Sequence, residues 1–491
     1  MNETMIYDLV ADTIAAISTV HGTGAIGIIR VSGAQSFAIA ARIFKDGKDF
    51  EQIKTHSVSY GFIVDPKSGE RVDEALLTKM KGPATYTRED VIEINCHAGL
   101  ETQMRVLDLV LKEGARPATP GEFTKRAFLN GRVDLAQAEA VMDIINSTGK
   151  MSAKAALSQL GGALSRTIDA VRDSLIDLIA SFDAVLDFPE HDLEETTAVD
   201  AMKKLIELRQ TLRELESGFE KGRIIREGIT CVITGKANVG KSSLLNWLCG
   251  KDSAIVTEIP GTTRDLIREG INLNGFSLNV VDSAGIRETK DAVEKIGVDM
   301  AITAVESAEL VIVVLDSTTP MDDDDYRVIS LIIDKPRVYM INKTDISSKD
   351  EIHAIKAKIG EYEGSAAPPL LPAPPLLPAP PLLPAQPTII ETSLVNGKGM
   401  DKLEECLVAM FNRGDVVSNN ETLLTNRRHY TQVVKSIQAM DLAIEALTEN
   451  LPVDMSIIGM KDAAAALGEI TGVDCMSEVI DRIFSGFCVG K

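Results

Sequence analysis

The chain has 491 residues and a formal net charge of -21, from 72 acidic against 51 basic side chains. That length holds about three domains, and the acidic balance excludes a generic polyanion binder, so any nucleic-acid contact must use a local basic patch. Six scattered cysteines without a Cys-x-x-Cys pair exclude a zinc ribbon or a disulfide framework. No apolar run reaches the ~18 residues of a membrane span and no signal peptide is evident, so a soluble cytoplasmic protein is expected, with no membrane contact.

Residues 1–120 read as mixed α/β, with short apolar strands such as Ala25 to Val31 and Val91 to Ile94. Gly22-Thr-Gly24-Ala-Ile-Gly27 matches the dinucleotide pattern G-x-G-x-x-G. A β-like run, Ile28 to Val31, follows where that motif needs a helix, so the dinucleotide reading is rejected. Residues 121–221 turn helical. Leu160, Leu164, Ile168, Val171, Leu175 and Leu178 form one apolar stripe, which Phe188-Pro189 ends.

Residues 222–412 carry five blocks of a guanine-nucleotide switch. The first, Gly235 to Ser242, lies between an apolar strand, Ile229 to Thr234, and a helical start at Ser243. That context supports G-x-x-x-x-G-K-[ST]. The stretch Asn238, Val239, Gly240, Lys241, Ser242 and Ser243 is expected to cradle phosphates, with Lys241 on the β- and γ-phosphates and Ser242 on Mg2+. In the second block, Gly261 to Asp265, Thr263 is the second expected Mg2+ ligand. Asp282 closes the strand Phe276 to Val281 and opens Asp-Ser-Ala-Gly; Gly285 would donate its N–H to the γ-phosphate. Asn342, Lys343 and Asp345 belong to Asn-Lys-Thr-Asp, where Asp345 can accept two N–H donors that guanine has and adenine lacks. Taken alone, Asp345 also reads as a helix N-cap. Thr392-Ser393-Leu394 is the fifth block. Ile286 stands where Ras-like proteins place a water-orienting Gln, so hydrolysis must recruit another group; Arg287, Glu288, Asp291 and Glu294 are the nearby polar candidates.

Between the fourth and fifth blocks, Pro-Pro-Leu-Leu-Pro-Ala repeats three times over residues 368–385. Polyproline II is expected there, as a semi-rigid insertion at a loop tip or as a ligand for a proline-binding module. Residues 413–491 return to helix, with Val433, Ile437, Met440, Ile444 and Leu447 as a second stripe. Neither stripe can stay in water, so both flanks should form one bundle with the switch domain inserted in it. The fold class is therefore multidomain: an α/β N-terminal domain, an all-α helical domain, and a P-loop α/β, Ras-like G domain inserted in the helical domain.

The chain resembles, along essentially its whole length, the MnmE (TrmE) family of bacterial tRNA-modification GTPases. The most specific segments are residues 116–140, from Arg116-Pro-Ala-Thr-Pro-Gly through Ala140, and Ile483-Phe-Ser-Gly-Phe-Cys-Val-Gly-Lys491. The proline-rich insertion is not part of the family pattern. The resemblance implies a GTP-hydrolysing homodimer whose first domain dimerises and binds a tetrahydrofolate derivative (5,10-methylene or 5-formyl) through Arg30, Glu93, Arg132 and Lys491. It implies K+ held by Asn238, Thr257, Ile259 and Thr262, with Thr257 and Thr262 also near the nucleotide. Asn238 and Lys241 would then share the catalytic site with Glu294, which would position water. With the FAD-dependent partner MnmG, in a heterotetramer or larger complex, the family adds a (carboxymethyl)aminomethyl group to C5 of the wobble uridine of certain tRNAs. Cys488 reads either as a small buried hydrophobe or as a thiol beside the folate one-carbon unit. The rival reading is a ribosome-assembly or regulatory GTPase, but no G-x-x-G loop of a KH module is found.

Overall fold

Apolar residues at every second position build the first sheet. In the computed structural model, which describes residues 12–20, 22, 24–47, 49–187, 195–250, 268–273, 275–282, 308–333, 335–365, 387–412, 422–449, 451–473 and 475–490, the chain divides into two units. The first comprises residues 1–142, 159–209 and 432–491; the second comprises 143–158 and 210–431.

The first unit begins with β1 (Ile14–Ile17), β2 (Ile26–Ser32), α1 (Ser36–Ile43), β3 (Phe44–Lys45), β4 (Ser57–Val64), β5 (Arg71–Met80), β6 (Val91–His97), α2 (Leu100–Lys112) and β7 (Arg116–Pro117). The sheet order is β3-β4-β5-β6-β2-β1-β7, antiparallel except where β1 meets β7. Ile29, Val31, Leu77, Ile92 and Ile94 point to one face, where α1 and α2 cover them. Each such fully buried side chain contributes about 1.5–3 kcal/mol. The strand expected at Ala25 to Val31 is β2, so the glycine-rich run does enter a strand rather than a helix.

Helices α3 (Glu122–Leu129), α4 (Leu135–Asn146), α5 (Lys150–Leu160) and α6 (Ala163–Asp187) follow, then α7 (Glu195–Ser217). The predicted first stripe is corrected at its start. Leu160 ends α5, and Gly162 at φ 77 breaks the chain before α6. Leu164, Ile168, Val171 and Leu175 are buried as expected, and the stripe continues through Ile179 and Phe182. After the second unit come α13 (Arg427–Thr448), α14 (Val453–Thr471) and α15 (Ser477–Ser485). Helices α6 and α14, from opposite flanks of the nucleotide motifs, pack on each other. Val433, Ile437 and Met440 are buried on α13 as predicted.

The second unit contains α8 (Phe219–Glu227), β8 (Ile229–Thr234), α9 (Lys241–Gly250), β9 (Arg268–Leu273), β10 (Phe276–Asp282), β11 (Leu310–Asp316), α10 (Asp323–Ser330), β12 (Arg337–Asn342), α11 (Lys349–Ser365), β13 (Thr388–Glu391) and α12 (Met400–Asn412). Its six strands run β13-β12-β11-β8-β10-β9, all parallel except the β9–β10 hairpin. The central strands β11 and β12 are near-continuous apolar runs because both faces are covered.

Candidate functional site

Four of the nucleotide motifs begin at the carboxyl ends of parallel strands, where open α/β sheets hold their ligands. β8 delivers the loop from Gly235 to Lys241, β10 ends on Asp282, β12 ends on Asn342, and β13 leads to Ser393. Gly235 has φ 138, and a Cβ there would stand 2.3 Å from the Val314 carbonyl oxygen. Asn238 also takes the left-handed region, at φ 63. Such a loop turns its N–H groups inward, as a phosphate cradle requires. The Lys241 amine donates to the carbonyls of Gly235 at 2.8 Å and Lys236 at 2.5 Å. Ser242 and Ser243 are exposed at the start of α9, where the helix dipole favours an anion.

Asn342 ties the blocks together. Its buried side chain donates to the Val239 carbonyl at 2.8 Å and accepts from the Leu394 N–H at 3.2 Å. Thr344 reaches the Thr392 carbonyl through both its N–H and its hydroxyl. Lys343, at φ 66, pairs with Asp316 at 2.5 Å. Burial pushes the Asp316 carboxyl up, but hydrogen bonds from Lys343 and Thr318 outweigh it and hold the group below its ordinary value. Asp345 is exposed and open to a base edge. The Ser393 hydroxyl is buried without a partner among the described residues. On the opposite rim, Lys236 bonds Asp322 at 2.5 Å and Asp325 at 2.6 Å. Asp316 was readable in sequence as an acid closing an apolar strand, like Asp282; the Lys236 contacts had no local signal.

Thr257, Ile259, Thr262, Thr263, Gly285 and Glu294 lie outside the described residues, as do Lys491, the side chain of Asp282 and the proline-rich insertion.

A second cluster forms in the first unit. Arg30 on β2 and Glu93 on β6 are paired in register, and their side chains form an ion pair at 2.8 Å. The Arg30 guanidinium also donates to the Gly490 carbonyl at 3.3 Å and lies 5.9 Å from the Tyr86 ring. Arg132 stacks on the same ring at 4.7 Å. The Tyr86 hydroxyl is fixed by Thr124 at 2.9 Å. The chain end docks here through backbone contacts. Gly121 donates to the Cys488 carbonyl at 3.2 Å, and the Ser18 hydroxyl to Gly490 at 3.1 Å. Close packing explains the glycines: a Cβ on Gly490 would meet the Ile17 carbonyl oxygen at 2.4 Å. Three of the four expected folate contacts are thus brought together, with Lys491 next in the chain after Gly490. Cys488 is exposed, which does not fit its reading as a buried hydrophobe. Tyr86 was missed because nothing in its local sequence marks it.

Residues 135–488 match the MnmE helical domain family, and residues 13–132 match the GTP-binding protein TrmE N-terminus family. A tRNA modification GTPase MnmE of Acetivibrio thermocellus is 48% identical over 480 residues, covering 98% of this chain and 99% of that protein. Another, of Ligilactobacillus salivarius, is 42% identical over 481 residues, covering 98% of each. Among solved structures, the G domain of the T. maritima FeoB iron transporter is 22% identical with a TM-score of 0.24, over 37% of this chain and 98% of its own; so low a score carries no weight. With five nucleotide motifs in its sequence and likeness running nearly end to end, the chain belongs to the MnmE (TrmE) family of tRNA modification GTPases and hydrolyses GTP.

Proposed function

We propose that this GTPase, as a cytoplasmic homodimer with the FAD-binding partner MnmG, adds a (carboxymethyl)aminomethyl group to C5 of wobble uridine in certain tRNAs. The carbon would come from a tetrahydrofolate derivative. The observation that carries the reading is the gathering of Arg30, Glu93, Arg132 and the Gly490 carbonyl around Tyr86. Glu93 can accept N–H donors from a pterin edge, and guanidinium groups suit a carboxylate tail. No helix among the described residues is long and apolar enough to cross a membrane.

The domain boundaries that fit this reading are 1–120 for folate binding and dimerisation, 121–221 and 413–491 for the helical domain, and 222–412 for the G domain. On the nucleotide side, Asp345 selects guanine, Lys241 leaves its carbonyl partners for the phosphates, and Ser242 with Thr263 would hold Mg2+. Asn238, with Thr257, Ile259 and Thr262, would hold K+, which would supply the positive charge that an arginine finger supplies elsewhere. Glu294 would orient the attacking water in place of the missing Gln.

The reading is tested by mass spectrometry of wobble uridines in cells carrying a chain truncated before Cys488. Modification should be lost while GTP hydrolysis by the purified protein stays within about threefold of full length, since the tail is remote in sequence from every nucleotide block. Normal modification would remove the tail from the site. In the same assay, hydrolysis should be faster in K+ than in Na+ at equal ionic strength, and equal rates would overturn the cation assignment.

A further inference from the structure

One β-hairpin joins the second nucleotide block to the third. The second block finishes at Asp265, shortly before β9 begins at Arg268, and β10 ends on Asp282, the first residue of the third block. In G domains the segments that carry these two blocks rearrange with the γ-phosphate. Every residue of β9 is paired with β10, Arg268 against Val281 through Leu273 against Phe276, so the two strands shift together. β9 is the edge strand of the sheet, and its six residues span roughly 20 Å. A displacement at the nucleotide end therefore reaches the turn of the hairpin.

That turn is clasped by residues 148–151, which join α4 to α5. The Met151 N–H donates to the Gly275 carbonyl at 3.3 Å. The Asn272 side chain accepts from the Gly275 N–H at 2.9 Å and donates to the Thr148 carbonyl at 3.1 Å. The Thr148 hydroxyl donates to that of the buried Ser277 at 3.0 Å. A Cβ on Gly149 would stand 2.5 Å from the Gly275 carbonyl oxygen, so the two backbones meet with no flexible side chain between them to absorb a movement. Ser152 bonds both the N–H and the carbonyl of Gly149, at 3.2 and 2.8 Å, which fixes the clasp to the first turn of α5. All of these residues belong to the second unit. The two helices do not: residues 135–142 of α4 and 159–160 of α5 belong to the first. There the Gln159 amide donates to the Ala136 carbonyl at 3.0 Å and the Gln137 amide to the Leu160 carbonyl at 2.9 Å, so the helix pair is tied at both ends. α4 begins just beyond Arg132 of the second cluster.

We propose that Thr148, Gly149 and Asn272 are positioning residues for tRNA modification. They pass the nucleotide-dependent movement of the hairpin to α4 and α5, and opening the clasp uncouples GTP hydrolysis from modification. The inference needs only these two activities of the chain and stands whether or not the first unit binds folate.

Hydrogen exchange on the unaltered full-length protein is the first test. Amides of residues 148–158 should exchange at rates that differ by about threefold or more between the GDP complex and that of a non-hydrolysable GTP analogue. Equal rates overturn the proposal. Two variants then open the clasp in different ways. Asn272→Ala removes the bonds to Thr148 and Gly275, and Gly149→Ala drives a methyl group against the Gly275 carbonyl. Each should keep GTP affinity and steady-state hydrolysis within about threefold, because neither lies in a nucleotide block. Each should lower tRNA modification in cells by about tenfold or more, read by mass spectrometry of tRNA nucleosides. Each should also erase the nucleotide dependence of exchange at 148–158 while leaving it at residues 235–243, a separation that a merely structural contact would not produce. Unimpaired modification overturns the proposal, and so does loss of hydrolysis in step with modification.

Discussion

Glu122 shows how a single buried charge is made tolerable. Its carboxylate is almost fully covered and accepts from Arg116, from the nearly buried Arg126 and from the Thr119 backbone. Burial alone would raise its pKa, but the hydrogen bonds from Arg116, Thr119 and Arg126 win and hold it at about 2, against an ordinary 4.5. A lowered folded-state pKa means the stabilisation is complete above about pH 4.5 and is lost as pH falls towards about 2. Glu122→Gln should therefore cost on the order of 3 kcal/mol at pH 7 and flatten the acid dependence of stability below pH ~4.5. Denaturant unfolding at pH 7 and pH 3 measures both, and equal losses at the two values would refute the linkage. None of this was legible in the sequence, where Glu122 reads as an ordinary first-turn acid. Its partners depend on how residues 12, 89, 116 and 126 are brought to one place.

Among elements, helix existence was legible and helix contact was not. The three-and-four spacing on α6 and α13 predicts the buried faces well because an amphipathic stripe has only one way to avoid water. The break at Gly161-Gly162 was readable too, but the apolar periodicity on either side masked it. Which helices touch is decided by small residues. A Cβ on Gly459 of α14 would stand 2.7 Å from the Ala439 carbonyl oxygen and 3.0 Å from the Ala443 Cβ on α13. Backbone cannot give way as a flexible side chain can, so Gly459→Ala should destabilise by about 1–3 kcal/mol. Gly360 on α11 meets nothing within 4 Å, and Gly360→Ala there should gain roughly 0.5–1 kcal/mol from helix propensity. Opposite shifts in thermal midpoint check the pair. A neutral Gly459→Ala would show that the helices part easily.

At the scale of the whole molecule, the insertion at residues 368–385 is the clearest departure from an economical chain. Helix α11 ends at Ser365, and β13 keeps its parallel register with β12, Val338 against Thr388 through Ile341 against Glu391. That pairing uses no residue of the repeat. Deleting 368–385 should leave GTP hydrolysis and tRNA modification within about twofold of the full chain, because loop closure changes only slowly with length. A large fall in modification alone, read by steady-state hydrolysis beside mass spectrometry, would assign the tract a docking role.

The nucleotide chemistry was determined by the sequence itself. The first, fourth and fifth blocks are short strand–loop–helix or strand–loop segments whose backbone geometry is set by neighbours within about ten residues, so spacing alone fixes what they can bind. Tertiary structure decided the second cluster. Arg30 meets Glu93 only because β2 and β6 pair in one register, and a slip of one residue would send the two side chains to opposite faces. Arg30 meets Gly490 across 460 positions of chain, through a tail that docks by backbone contacts no side-chain pattern announces. Tyr86 acquires its neighbours from a turn pinned by Ser32, Thr124 and Asn130, residues remote in sequence and ordinary in type. Local chemistry can be read from local spacing; a site assembled by register and by packing of distant segments exists only once the free energy of the whole fold has placed them.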